Sequence, residues 1–249
     1  MIGRHQVLSP AIPVAQAVGR CALAIMTKAP RAGCVKTRLS PPLTPIQAAA
    51  LNVCFLRDIA GSIEHTGPQG QGIACYTPVG QEDAYHSVLP ASFQLIAQRE
   101  GNFGQRLAGA IEDLFRVGFA SVCLINSDSP TVPASSFQRA IDILCEPNDS
   151  LVLGPSDDGG YYLIGMKRLY RRLFEQIAWS TEKVFAQTLQ RASEIQVEVR
   201  LLPTAYDVDD RDALNRLYQD LLGANEPDPS TAPATREFLQ RWTADVVRS

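Results

Sequence analysis

Short runs rich in valine, isoleucine and leucine, separated by longer amphipathic stretches, set the tightest limit on what this chain can fold into. CALAIMT (21–27), GIACYTP (72–78), FQLIAQ (93–98), SVCLIN (121–126), SLVLGP (150–155), YYLIGM (161–166) and VEVRLLP (197–203) read as buried strands. Between them lie helical stretches. Thr44 and Pro45, a cap and a first helical position, open IQAAALNVCFLRDIAGSI. Leu107, Ile111, Leu114 and Phe115 recur at helical spacing in NFGQRLAGAIEDLFRVG. PASSFQRAIDIL, STEKVFAQTLQRA with Ser180 as its cap, RDALNRLYQDLL and TREFLQRWTADVV complete the set. Such alternation predicts an open, mostly parallel sheet covered by helices on both faces, a three-layer α/β/α architecture. The hairpin-like SLVLGPSDDGGYYLIGM breaks the alternation, so one strand is expected to run antiparallel and make the sheet mixed. In sheets of this kind ligands sit beyond the carboxyl ends of the strands. The chemistry is therefore sought just after each apolar run.

The length of 249 residues suits one large α/β domain. The pattern divides it into an N-terminal extension (1–19), a globular domain (20–223), and a Pro-rich linker with a closing helix (224–249). Residues 1–20 are interrupted by Pro10, Pro13 and Gln16, so they are expected to be loose rather than a signal peptide. No later stretch is expected to reach transmembrane length. The net charge is −3, so no global basic field recruits nucleic acid or an anionic membrane, and any anion binding must be local. The six cysteines form no CxxC, and the three histidines stand apart, which gives no zinc pattern. A reduced, cytoplasmic setting follows as the expectation.

Four stretches after strands carry chemistry. KAPRAGCVKTRL (28–39) crowds Lys28, Arg31, Lys36 and Arg38 around a turn shaped by Pro30 and Gly33. Glycine-turn amides and several cations can hold a diphosphate. The spacing is not that of a P-loop, because Cys34 and Val35 separate Gly33 from Lys36. A solvated basic loop is the plainer alternative. NSDSPTVP (126–133) puts Asp128 at a strand end, where a carboxylate can join a divalent cation to substrate phosphates or simply form a turn. PSDDGGYYLIG (155–165) offers Asp157 or Asp158 as a general base, or as part of a hairpin turn. In YDVDDRDAL (206–214), extended backbone would point Asp207 and Asp209 the same way, while Asp209 or Asp210 caps the helix that follows.

Six stretches in order, KAPRAGCVKTRL, GNFGQRLAGA, NSDSPTVP, GPSDDGGYYLIGM, AWSTEKVFAQTL and YDVDDRDAL, resemble a bacterial family of GT-A-fold, glycosyltransferase-like proteins, formerly a domain of unknown function. Some of its members are described as glycosyltransferases of arsenosugar biosynthesis. Guanylyltransferases acting on molybdopterin or phospholactate are more distant relatives. The resemblance implies a nucleotide-diphospho-sugar transferase fold, Rossmann-like. It also implies that Lys28, Lys36 and Arg38 face nucleotide phosphates, that Asp128 is a metal-binding acid with Asp209 as second ligand, and that Gly101 and Arg106 contact the nucleotide. The chain departs from the family pattern at Phe103 and Gln105, where leucine and glutamate are more usual.

The expectation is a glycosyltransferase dependent on Mg²⁺ or Mn²⁺, which moves a sugar from a nucleotide sugar to a small or lipid-like acceptor. The phosphate-binding set is Lys28, Arg31, Gly33, Lys36, Arg38, Gly101 and Arg106. The metal set is Asp128 and Asp209, and the base is Asp158 or Asp157. A nucleotidyltransferase consuming an NTP uses the same groups and is the alternative, and a non-catalytic nucleotide-binding module is a third reading.

Overall fold

The computed structural model describes residues 4–223 and 228–248. Its centre is a seven-stranded sheet: β1 Cys21–Lys28, β2 Gly70–Thr77, β3 Gln94–Ala97, β4 Ser121–Ile125, β5 Ser150–Pro155, β6 Tyr161–Met166 and β7 Glu198–Leu201. Their order across the sheet is β3-β2-β1-β4-β6-β5-β7. All neighbours pair in parallel except where β6 meets β4 and β5. The single reversed strand is thus β6, placed there by its short turn from β5. The mixed, mostly parallel sheet expected from the sequence is the sheet observed.

The helices are α1 Pro45–Glu64, α2 Phe103–Val117, α3 Ala134–Cys145, α4 Val184–Glu194, α5 Arg211–Leu222 and α6 Pro233–Arg248. One face of the sheet packs with α1 and α3 through Leu56, Ile59, Phe137 and Ile141. The other face packs with α2 and α4 through Leu107, Ile111, Leu114 and Ala192. Strands buried on both faces read as continuous apolar runs, which is why their pattern stood out. A third cluster joins Leu51 and Phe55 of α1 to Leu214 and Leu217 of α5 and Leu239 of α6.

Local chemistry sets the helix starts. Thr44 caps α1 in a full capping box with Gln47, and Asn102 does the same for α2 with Gln105. The expected start at Ser180 is corrected: α4 begins at Val184 without a side-chain cap, and Ser180 has a positive φ of 63°. Helix α1 also corrects the expectation that no stretch reaches transmembrane length. It is 20 residues long and apolar enough to span by length and composition, but much of it is buried within the fold, where α1 packs on the sheet and on α6. The apolar character comes from contact with two layers.

Of the segment before residue 20, expected to be loose, Gln6 to Leu8 pair along the sheet edge beside β3. Leu8 donates its N–H to the Leu95 carbonyl at 2.7 Å, and Leu95 donates to Gln6 at 2.9 Å. The Leu8 and Ala17 side chains are buried in the core. Of the expected Pro-rich linker, residues 224–227 lie outside the described residues. Helix α6 is docked by a cap from another helix. The buried Asp58 carboxylate on α1 accepts from the N–H groups of Ala234 (2.9 Å) and Thr235 (2.8 Å). It thereby satisfies two otherwise free donors at a helix N-terminus. Asp58→Ala would leave those donors buried and unpaired, with an expected loss of about 2 kcal/mol. Thermal unfolding should show Tm lower by about 5 °C, whereas Asp58→Asn, which keeps one acceptor, should lose less. Equal losses for the two variants would remove the cap from the account of how α6 docks.

Candidate active site

From β1 the chain runs outward through β2 and β3, then returns to the other side of β1 as β4. The loops after β1 and β4 therefore leave in opposite directions and open a crevice between them, as at any switch point of strand order. Because β6 runs backwards, its amino end, Tyr161, lies at the same edge as the carboxyl ends of β4 and β5. The result is a cavity of about 660 Å³ whose lining includes Lys28, Lys36, Arg38, Asp128, Asp158 and Asp209. Cations from the end of β1 and the loop after it thus share one space with carboxylates from other loops, Asp207 and Glu182 among them. Lys28 and Arg38 have no ionic partner among the described residues.

Lys36 behaves differently. Its Nζ lies 2.7 Å from Asp128 Oδ1 and 2.8 Å from Asp209 Oδ1, and it donates to the Val208 carbonyl at 2.8 Å. The side chain is only 4% exposed, against 28% for Asp128 and 49% for Asp209. Burial opposes the ammonium charge, but the two carboxylates outweigh it and raise the pKa above the ordinary lysine value. The backbone at Lys36 is left-handed, with φ 48°, an uncommon conformation for a residue with a side chain. The ammonium also stands 5.4 Å from the centre of the Phe55 ring.

The acidic stretch after β7 is held by the alternation of its side chains. Tyr206 and Val208 are buried in the cluster between α1 and α5, so Asp207 and Asp209 face the crevice. The Val208 N–H also bonds the Asp128 carbonyl at 2.9 Å, which zips this segment to the loop after β4. Asp210 caps α5 by accepting from the Ala213 N–H at 2.9 Å. Asp207, which the sequence pattern pointed the same way as Asp209 but gave no role, is the organising acid. Its Oδ1 accepts from Asn126 Nδ2 (2.8 Å), Ser129 Oγ (2.7 Å) and Ser156 Oγ (3.0 Å). It thus joins the loops after β4, β5 and β7. Burial, helped by the nearby Asp128 and Asp158 charges, pushes its pKa up to about 6, with the Ser129 and Ser156 hydroxyls acting against the shift. The Asn126 amide nitrogen is therefore spent on Asp207, while its oxygen accepts a long bond of 3.4 Å from the Asp128 N–H at the cavity wall.

The turn between β5 and β6 separates its two acids. Asp158 lines the crevice, and its Oδ1 accepts from the Gly160 N–H at 2.9 Å. Asp157 points into a neighbouring cleft and pairs with Arg216. Gly159 has φ 88°, and a Cβ there would come within 2.2 Å of the Glu182 carbonyl oxygen, so only glycine lets this turn dock on the segment before α4. That segment carries Trp179, which meets Phe103 edge to face at 5.1 Å and forms an apolar crevice wall with it. Gly104 makes room, since a Cβ on it would meet the Trp179 indole nitrogen at 2.9 Å. Nothing in the spacing of AWSTEK marks Trp179 as a wall. Only the meeting of two distant loops does so.

Other expected site residues lie elsewhere. Arg31 bonds Gln81 at the surface, away from the crevice lining. Gly33 supplies a positive φ of 74° that turns the loop, but its neighbour Cys34 is the residue that lines the cavity. Gly101 and Arg106 are also outside the lining. Gly101, at φ 132°, leaves room for Gln105, and Arg106 donates to Gln98 at 3.3 Å. Gln105, where the family pattern has glutamate, closes the capping box of α2 with its amide oxygen at 3.0 Å from the Asn102 nitrogen. Its part is structural, and a neutral acceptor serves it. Among the described residues, no three His, Cys, Asp or Glu side chains gather into a ready-made metal cage. The two convergent carboxylates Asp128 and Asp209 form a smaller hard-oxygen set, of the size Mg²⁺ uses when phosphates complete its shell.

An α/β sheet with one reversed strand and a polar crevice at the switch point defines the nucleotide-diphospho-sugar transferase fold, GT-A and Rossmann-like. Residues 65–181 match the family described as "Uncharacterized protein conserved in bacteria (DUF2064)". The resemblance read from the motifs is borne out, although the basic loop and the YDVDD stretch lie outside the matched segment. A search of curated proteins returned no match. The chain is similar to the crystal structure of a protein from Desulfovibrio desulfuricans G20 provisionally assigned as a nucleotide-diphospho-sugar transferase. Identity is 28% with a TM-score of 0.80, over 90% of this chain and 95% of that one. In fold alone it is similar to 4-diphosphocytidyl-2C-methyl-D-erythritolsynthase from Anaerococcus prevotii, at 10% identity and TM-score 0.51, covering 82% of this chain and 99% of that one. A cytidylyltransferase from Leptospira borgpetersenii shares the fold at 9% identity and TM-score 0.50, over 90% and 95% of the respective chains.

Asp207→Ala should strand the Asn126 amide and the two serine hydroxyls, at a cost of about 2–4 kcal/mol in denaturant unfolding. Asp207→Asn keeps an acceptor in the same place and should cost less than half as much. Equal stability of the alanine variant and the parent would show that the three loops hold together without this carboxylate.

Proposed function

We propose that the protein is a metal-dependent glycosyltransferase that moves a sugar from a nucleotide-diphosphate donor to a small or lipid-like acceptor. The observation that carries this reading is the meeting of Lys28, Lys36 and Arg38 with Asp128, Asp158 and Asp209 in one crevice at the strand ends. A nucleoside diphosphate is a polyanion, and its negative charge grows as the bond to the sugar breaks. Fixed positive groups aimed at that growing charge lower the barrier more than they help ground-state binding. Lys28 and Arg38, free of ionic partners among the described residues, suit the grip on the phosphates.

Asp128 and Asp209 are the residues that would hold Mg²⁺ or Mn²⁺. Such an ion, when bound, neutralises the departing diphosphate as a Lewis acid. Asp158 projects into the crevice from a turn locked by Gly159 and Gly160, and is the base that would take the proton of the acceptor hydroxyl. Asp157 is engaged by Arg216 in the adjacent cleft and takes no part in this assignment. The Phe103 and Trp179 rings offer an apolar surface beside the polar half of the crevice, suited to a sugar face or the hydrocarbon part of an acceptor.

The test is a thermal-shift panel of nucleoside diphosphates, nucleotide sugars and NTPs, each with and without Mg²⁺ or Mn²⁺, followed by product analysis for every ligand that stabilises. A ligand at one hundred times its Kd adds about 2.7 kcal/mol to the folded state. Release of a nucleoside diphosphate from a nucleotide sugar supports glycosyl transfer. Release of pyrophosphate from an NTP replaces it with nucleotidyl transfer, and tight binding without turnover replaces both with a non-catalytic module. Asp128→Ala should lower Mn²⁺-dependent nucleoside-diphosphate affinity at least tenfold while circular dichroism stays unchanged. An unaltered calorimetric Kd would take Asp128 out of the site.

A further inference from the structure

The place between Asp128 and Asp209 already holds a positive charge supplied by the chain itself. Lys36 Nζ lies 2.7 and 2.8 Å from the two carboxylates, with a third contact of 2.8 Å to the Val208 carbonyl. Those contacts use all three ammonium hydrogens. A second cation cannot share the Oδ1 atoms while the ammonium remains, because like charges that close repel strongly in a partly desolvated site. From the metal's side, the carboxylates are available only once Lys36 leaves.

Leaving has a cost that a bare ion does not recover. A buried ammonium withdrawn from its partners becomes an uncompensated charge, the costliest way to break a buried ion pair. A ligand with phosphate oxygens changes that balance, since it offers Lys36 new anionic partners in the same cavity, beside Lys28 and Arg38. The loop is suited to such a change. Lys36 has φ 48°, sits directly before the short 3-10 turn Thr37–Leu39, and is joined through the buried Val35 to the exposed residues Arg31 to Cys34.

We infer that the Asp128–Asp209 pair is a cation-exchange site, which admits a divalent metal only as its complex with a diphosphate or triphosphate that draws the Lys36 ammonium onto its own oxygens. Lys36 excludes the free ion and couples metal binding to polyanion binding. The inference rests on the metal assignment made under the proposed function, but it requires neither glycosyl nor nucleotidyl transfer.

The experiment compares Mn²⁺ binding by parent protein, Lys36→Met and Asp128→Asn, followed by electron paramagnetic resonance and calorimetry, with Mn²⁺ alone and with Mn²⁺ plus UDP. Lys36→Met should bind Mn²⁺ alone at least tenfold more tightly than the parent, because the competing ammonium is gone and the carboxylate pair is left uncompensated. The parent should bind Mn²⁺ weakly alone, and Mn²⁺ should tighten its binding of UDP at least tenfold. Asp128→Asn should lose Mn²⁺ binding under both conditions. If Lys36→Met does not fold, Lys36→Gln keeps a hydrogen bond to one carboxylate without the charge and serves the same comparison. Mn²⁺ affinity in either neutral variant no greater than in the parent overturns the inference, as does tight Mn²⁺ binding by the parent without nucleotide. These readouts contain no turnover. A protein that meets them yet consumes no donor keeps the exchange site and loses the transferase reading. A protein that transfers sugar but shows no gain in the neutral variants loses only the exchange site.

Discussion

The contact on which the site depends is a buried ammonium between two carboxylates. Lys36 belongs to the loop after β1, Asp128 to the loop after β4, and Asp209 to the segment between β7 and α5. No two of these segments are neighbours in sequence, and each would be free to wander over the sheet edge on its own. Buried ion pairs contribute little net stability, because desolvation takes back most of the attraction. Their effect is on geometry: a charge buried at one point leaves its partners few other positions. The crevice is defined by that restriction more than by hydrophobic packing, which lies below it in the layers of the sheet.

A second set of contacts works beside the first. Asp207 ties Asn126, Ser129 and Ser156 together, and the Val208 amide reaches the Asp128 carbonyl. These bonds tie the loops after β4, β5 and β7, two of which Lys36 also joins, so the aspartates of YDVDD divide the labour. Asp207 builds the floor, Asp209 faces the cavity, and Asp210 starts the next helix. The alternation of burial along extended backbone makes this division possible. Tyr206 and Val208 anchor one side so that the acids present the other.

The reversed strand β6 is what brings Asp158 to this edge. Had the chain continued in parallel crossovers, the turn after β5 would have led into a helix and away from the crevice. A short turn at Gly159–Gly160 instead returns the chain beside β4, and the close approach of Glu182 to Gly159 leaves no room for a side chain. The same approach delivers Trp179 to Phe103. The position of Asp158 and the apolar half of the crevice are thus fixed by one turn.

Much of this was legible before any coordinates. Apolar runs buried on both faces announce a parallel sheet, since no other common arrangement covers such strands twice. A short polar turn between two of those runs announces the one reversed strand. Lys28, Lys36, Arg38, Asp128, Asp158 and Asp209 all lie at strand ends or in the loops that follow them, and strand ends in such sheets converge. What the sequence could not decide was who pairs with whom. Lys36 and Arg38 are two residues apart in one basic loop, yet one is buried against two acids and the other faces open space. Asp157 and Asp158 are adjacent, yet they enter different clefts. The family resemblance points Gly101 and Arg106 at the nucleotide, but neither lines the crevice here: Gly101 leaves room for Gln105 and Arg106 bonds Gln98. Local pattern determines which face a residue takes and which element it joins, because those follow from backbone periodicity. Pairing across tens of residues is decided by the register of distant strands and the direction of single turns, and that information exists only in the assembled fold.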